Sequence, residues 1–150
     1  MTGTIITLDA TGRKILSLLQ RQARLAFSEI GRQVGLSGPA VAERVRRMEE
    51  DGIISGYHAE INADAAGLPI RAFIRLTTPP QRYEQLTRTL QAIPEVLEAH
   101  HVTGEDAFYL RVAAPSMDAL EQVIGRLSPF GSTSTAMILS TPVKRDMPIN

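Results

Sequence analysis

Two hydrophobic rhythms divide the chain. Up to about residue 61 the apolar positions recur with helical spacing, and from residue 70 onward they mostly alternate. Ile15, Leu16, Leu18 and Leu19 share one helical face behind Asp9, a residue suited to cap a helix N-terminus. Gly12 weakens that first turn, because glycine costs about 1 kcal/mol relative to alanine inside a helix. A second helix is predicted to open at Ser28, to carry Ile30 and Val34 inward, and to stop at Gly35. A third opens at Ser37, with Pro39 in its first turn, where a missing N–H does no harm. Its inner stripe is Val41, Val45 and Met48 at i, i+4 and i+7, and Gly52 ends it. Ile53 to Ile61 then reads as extended chain.

The small, turn-rich stretch 62–69 marks a junction. Beyond it, Ile70 to Thr77 alternates as a strand, with Ala72, Ile74 and Leu76 on one face and Arg71, Phe73 and Arg75 on the other. A helix from Gln81 to Ala92 follows. Strands are predicted over Val96–Thr103 and Ala107–Ala113, joined by a tight turn at Gly104-Glu105-Asp106. Ser116 caps a further helix, and Ser132 to Thr141 forms the last strand. The order βαββαβ is that of a ferredoxin-like, split-βαβ domain. The fold class is therefore α+β: an N-terminal winged helix-turn-helix over 1–61, a linker at 62–69, and a βαββαβ domain over 70–150. Both helices cover one face of such a sheet, so the face bearing Phe73 needs another cover, most simply a second copy.

Bulk charge adds little. The 150 residues carry 16 basic and 16 acidic side chains. Asp9 to His58 holds eight basic against six acidic, and the remainder eight against ten, a weak asymmetry that does not by itself establish DNA binding. Cysteine is absent, which removes disulfides, thiolate metal sites and a cysteine nucleophile. No apolar run reaches membrane-spanning length and no leader peptide is evident, so a cytoplasmic protein is expected.

The segment from Ser28 to Gly52 carries the strongest chemical signal. Two short helices joined through Gly35-Leu36-Ser37 cross steeply, so the second can enter a major groove of double-stranded DNA. Near its N-terminus, Gly38, Pro39, Ala40 and Glu43 are candidates for base edges. Arg44, Arg46 and Arg47 suit phosphates or guanine, because a guanidinium fork matches both. Ser28 and Ser37 stand at helix starts, where backbone N–H groups can hold a phosphate. For Arg44, on the flank of the buried stripe, an ion pair within the protein is an equal alternative. A solvated bundle whose arginines only pair with Glu43, Glu49 and Glu50 is the bland reading.

The runs LDATGRKILSLLQRQAR and FSEIGRQVGLSGPAVAERVRRMEEDGIISGY resemble the DNA-binding domain of the Lrp/AsnC, or leucine-responsive regulator, family. The likeness continues through INADAAGL, HHVTGEDAFYLRV and STSTAMILST, nearly the whole chain. The resemblance implies an amino-acid-sensing C-terminal domain. It also implies dimers built by packing two sheets face to face, and often further assembly to octamers. It places the effector near the glycine turn after the second sensing-domain strand. Here that turn holds Thr103, Gly104, Glu105 and Asp106, whose backbone N–H groups and carboxylates would meet an amino acid's carboxylate and ammonium group. Thr133, Ser134 and Thr135 on the last strand would add hydroxyls. A plain hairpin turn and a polar edge strand remain the simpler reading of those residues.

The expected function is thus a sequence-specific, effector-modulated transcription regulator. The alternative is an architectural DNA-binding protein without effector response. An enzyme is disfavoured because no catalytic motif frames the Ser, His and Asp residues, and no cofactor loop is present. A module whose helices bind protein is a further class. His100 and His101 are adjacent on a strand, so they point to opposite faces and cannot chelate one metal ion.

Overall fold

The computed structural model describes residues 8–149. By contact density these form two compact units: the residues up to Glu60 together with those from Val143 onward, and Ile61–Pro142.

The first unit contains α1 (Ala10–Arg21), α2 (Phe27–Val34) and α3 (Gly38–Glu50). Asp9 caps α1, its carboxylate accepting from the Gly12 backbone N–H at 2.6 Å. Ser37 caps α3, accepting from the Ala40 N–H at 3.3 Å. Helix α2 departs from expectation. It starts at Phe27, with Ala26 at the cap position and no side-chain cap, so Ser28 lies inside the first turn. The Ala26 carbonyl accepts from both Glu29 and Ile30, at 2.9 and 3.0 Å, so the backbone closes that turn unaided. The stripes of the three helices converge on one core: Ile15, Leu16, Leu18, Leu19, Ile30, Val41, Val45 and Met48. The stretch expected to be extended, 53–61, instead begins by turning back onto α3: the Ile53 and Ile54 N–H groups both donate to the Met48 carbonyl, at 2.9 and 3.0 Å. Residues 55–61 have no regular structure and, among the described residues, pair with no strand, so no hydrogen-bonded wing is seen there.

The angle between α2 and α3 rests on two glycines. Gly35 leaves α2 at φ 75°, a left-handed conformation that glycine adopts without steric cost. Gly31 sits against the Leu36 carbonyl, where any Cβ would collide with backbone. Leu36 N–H donates to the Gly31 carbonyl at 2.9 Å and closes the turn. Helix α3 is further tied to α1 by Arg44. Its Nη1 donates to both Asp9 carboxylate oxygens, at 3.1 and 2.9 Å.

Residues from Val143 onward also belong to this unit, whereas the sequence reading carried the second domain through Asn150. Gln20 Nε2 donates to the Met147 carbonyl at 3.0 Å, Lys144 pairs with Glu60 at 2.6 Å, and Ile149 packs on the helical core. Nothing in the hydrophobic pattern marked this.

The second unit contains β1 (Ile70–Thr77), α4 (Tyr83–Gln91), β2 (Val96–His101), β3 (Phe108–Ala114), α5 (Met117–Leu127) and β4 (Ser132–Met137). The strands form one antiparallel sheet in the order β2-β3-β1-β4. Ala72, Ile74, Leu76, Leu110 and Val112 face Leu86, Leu90, Leu120, Val123 and Leu127 of the two helices and make the core. The helix predicted from Gln81 begins as a short 3-10 turn, Pro80–Arg82, before α4 proper. Strand β4 stops at Met137 rather than Thr141. Its partner β1 ends at Ile70, and the last rung is Ile138 N–H to the Arg71 carbonyl at 2.9 Å.

Two outcomes follow from the first unit. Gly31→Ala should destabilise it by about 1–3 kcal/mol, the usual cost of overpacking, read as a lower urea midpoint. An unchanged midpoint would mean that the turn absorbs a methyl group. The Asp9 carboxylate is held below its ordinary pKa, first by the Gly12 N–H and then by Arg44. A depressed carboxylate contributes stability that is complete above its unfolded pKa and is lost as pH falls through its folded one. Asp9→Asn keeps a cap but removes the charge. The variant should be less stable than the parent at neutral pH, and the gap should close on acidification through the carboxylate range. A gap independent of pH would exclude the charge as its source.

Candidate nucleic-acid interface and sensing-domain site

Burial of Val41, Val45 and Met48 turns the other side of α3 outward. Pro39, Arg46 and Arg47 are exposed there, and Gly38, Ala40, Glu43 and Arg44 are half-buried. Exposed Ser28 and Ser37 lie at the starts of α2 and α3. The structure brings these starts together: a Cβ on Gly38 would lie 3.4 Å from the Ser28 backbone N. Two positive helix ends therefore share one corner of the unit, which favours an anion.

The arginines differ in their engagement. Arg44 is held by Asp9, the ion pair within the protein that is one of its two readings, and its side chain stays 41% exposed. Arg46 forks onto Glu43 through Nε and Nη2 and reaches Glu50 through Nη1. Arg47 donates through Nε to Glu43 at 3.0 Å and is otherwise the most exposed of the three, at 70%. Tyr57, which follows α3, donates to Glu49 at 2.7 Å. Burial first, and then that carboxylate, push its phenol pKa up to about 12.

In the second unit the turn expected at 103–106 is present. Gly104 has φ 119°, and Val102 N–H closes the hairpin onto the Ala107 carbonyl at 3.0 Å. Thr103, Gly104 and Glu105 are exposed, so their groups are accessible. Asp106 is different, because its carboxylate is already engaged. It accepts from Thr77 Oγ1 at 3.1 Å and Tyr109 OH at 3.4 Å, and it pairs with Arg75 at 3.5 Å. Arg75 also donates to Ser134 Oγ at 3.2 Å. One guanidinium on β1 thus links the turn to the last strand. Sequence reasoning put Arg75 on the outward face of β1 but saw no role for it, nor for Thr77 and Tyr109. The only available signal was strand parity.

The three β4 hydroxyls do not converge. Ser134 pairs in register with Arg75 on the uncovered face, whereas Thr133 and Thr135 pair with Leu76 and Ile74 and point to the helix side. Phe73 and Tyr109 stand exposed on the uncovered face beside Arg75, Arg111, Glu98 and His100. Glu98 is held ionised, first by Arg111 and then by His100, whose Nε2 lies 3.2 Å away. His101 points the other way and stacks on Phe108 with centroids 5.0 Å apart, beside Tyr83. The two histidines therefore diverge as strand parity requires. No cluster of three or more metal-ligating side chains occurs among the described residues. Nor is any helix there long and apolar enough to cross a membrane.

Comparison with known proteins finds a match in each part of the chain, the second running past Pro142. The model of the AsnC-type helix-turn-helix domain matches residues 8–49, and that of the Lrp/AsnC ligand binding domain matches residues 71–148. The chain is 33% identical over 133 residues to the HTH-type transcriptional regulator LrpC of Bacillus subtilis, covering 89% of this chain and 92% of that one. It is 32% identical over 139 residues to the leucine-responsive regulatory protein of Escherichia coli, covering 88% and 85%. The solved structure of B. subtilis LrpC superposes with a TM-score of 0.88 at 31% identity, covering 93% of this chain and all of that one. A transcriptional regulator of Neisseria meningitidis, solved in complex with L-Met, superposes with a TM-score of 0.86 at 26% identity, covering 96% and 97%. A helix capped at Ser37 behind a glycine turn, a helix-backed antiparallel sheet and both domain matches lead to one conclusion: the chain belongs to the Lrp/AsnC family of helix-turn-helix transcription regulators.

Proposed function

We propose that this regulator reads double-stranded DNA with α3 and takes an amino acid or related small molecule on its second unit, and that the bound molecule changes how strongly DNA is held. The observation that carries the reading is the outward face of α3, presented beside the paired starts of α2 and α3. In this assignment Gly38, Pro39 and Ala40 approach base edges, and Glu43 stands beside them with its carboxylate on Arg46 and Arg47. The N-termini at Ser28 and Ser37 hold phosphates, Arg46 and Arg47 meet phosphate or guanine, and Arg44 orients α3 through Asp9. No catalytic, metal or cofactor role is assigned, and a cytoplasmic setting fits a reader of chromosomal DNA.

The effector is assigned to the turn at Thr103, Gly104, Glu105 and Asp106 with the neighbouring hydroxyl of Ser134; Thr133 and Thr135 lie on the opposite side of β4. An α-amino acid fits this chemistry, since backbone N–H groups at a turn take a carboxylate and Glu105 takes an ammonium. The L-Met complex of the Neisseria regulator supports that ligand class. The uncovered sheet face, with Phe73 and Tyr109 exposed, is assigned to a second copy of the chain. A homodimer would present two reading helices to a site of two-fold symmetry, and further assembly to octamers would multiply them. The ligand-binding domain match favours this reading over an architectural protein without effector response.

Two measurements test it. Operator affinity, followed by fluorescence anisotropy against a panel of amino acids, should shift about 5- to 150-fold with at least one of them, the usual range of coupling between sites. No shift with any, together with even protection of DNA in footprinting, would return the architectural alternative. Phe73→Asp should lower the oligomeric state in sedimentation analysis, because it replaces an exposed ring on the uncovered face with a charge. An unchanged assembly would place the interface elsewhere.

A further inference from the structure

We propose that Glu43 is a specificity-determining residue that acts through Arg46 and Arg47, holding both guanidinium groups along α3 so that they engage DNA only where a well-placed phosphate or base edge outcompetes its carboxylate. The inference rests on α3 being the reading helix and goes beyond that role.

The geometry is a shared grip. Glu43 Oε1 accepts from Arg46 Nη2 at 2.7 Å and from Arg47 Nε at 3.0 Å. Its Oε2 accepts from Arg46 Nε at 3.0 Å and Nη2 at 2.9 Å. One turn further on, Glu50 takes Arg46 Nη1. The edge by which Arg46 would fork onto phosphate or guanine is therefore occupied by a carboxylate of the same shape. Arg47 is held through Nε alone. Two arginines and two glutamates sum to no net charge on this face, in a chain that is itself neutral.

Such a quartet sets a threshold. Exposed ion pairs are shallow and are screened by salt, so a good DNA contact can replace them. A loosely placed phosphate competes with a partner already in bidentate contact. Non-specific binding draws its strength from the number of phosphates neutralised, so arginines retained by Glu43 subtract most from that mode. Direct reading of a base by Glu43 would require both its oxygens to abandon their arginines. The hydrogen bonds from Arg46 and then Arg47 also hold its pKa below the ordinary value, so the carboxylate stays charged further into the acid range than an unpaired glutamate.

The test uses the full chain on two duplexes, one of random sequence and one selected from a random pool by the parent protein, with anisotropy measured across a salt series. Glu43→Gln should bind the random duplex several-fold tighter. Its log–log salt slope should steepen by about 0.9 for each phosphate newly neutralised, and its preference for the selected duplex should fall. Combined with Arg46→Gln and Arg47→Gln, the same change should alter neither slope nor affinity. A purely structural role would leave the slope where it was. An unchanged or shallower slope, or weaker binding to both duplexes, would overturn the proposal. So would a loss confined to one base pair of the selected site, which would make Glu43 a direct reader. If the parent binds neither duplex at low salt, the reading-helix assignment itself fails, and this inference with it.

Discussion

The first unit depends on one constraint: α3 can bury only one stripe. Val41, Val45 and Met48 enter the core with Ile15, Leu19 and Ile30, and that commits the opposite side of the helix to solvent. Everything available for DNA follows from this commitment. The turn at Gly31 and Gly35 then sets how that side is presented. Backbone contact at Gly31 leaves no room for a side chain, so the two helices meet at one distance. The Arg44–Asp9 pair adds a third point of attachment, outside the core and open to water. An exposed pair contributes modestly to stability, so its value lies in orientation as much as in energy.

Charge on the outward side is arranged rather than accumulated. A DNA reader need not be strongly basic if its arginines are paired in the free protein and released on contact. The quartet of Glu43, Arg46, Arg47 and Glu50 has this form. It accounts for a neutral chain carrying a helix-turn-helix without conflict. The second unit uses charge similarly: Arg75 joins Asp106 to Ser134, and Arg111 joins Glu98 on the neighbouring strands. Each pair stands beside an exposed aromatic ring, Phe73 or Tyr109, on the one face that no helix covers. Exposed aromatic rings beside arginine are enriched on surfaces that meet another protein.

The sequence by itself determined a good deal, because the properties involved are local. Helical periodicity and strand alternation put Ile15, Val41, Ile74 and Leu76 in cores, where each is found fully or almost fully buried. Asp9, Ser37 and Ser116 were legible as caps because a short oxygen-bearing side chain acts on its own helix start. The divergence of His100 from His101 needed only the two-residue period of a strand. Tertiary structure decided the rest. Ala26 displaced Ser28 as the α2 cap once its carbonyl had closed the turn. Arg75 met Asp106 and Ser134 only because sheet register aligned three strands distant in sequence. Residues from Val143 onward joined the helical unit through long-range contacts at Gln20 and Glu60 and the packing of Ile149, which no periodicity encodes. Local patterns record what a residue does to its own segment; pairing between segments depends on where the whole chain brings them.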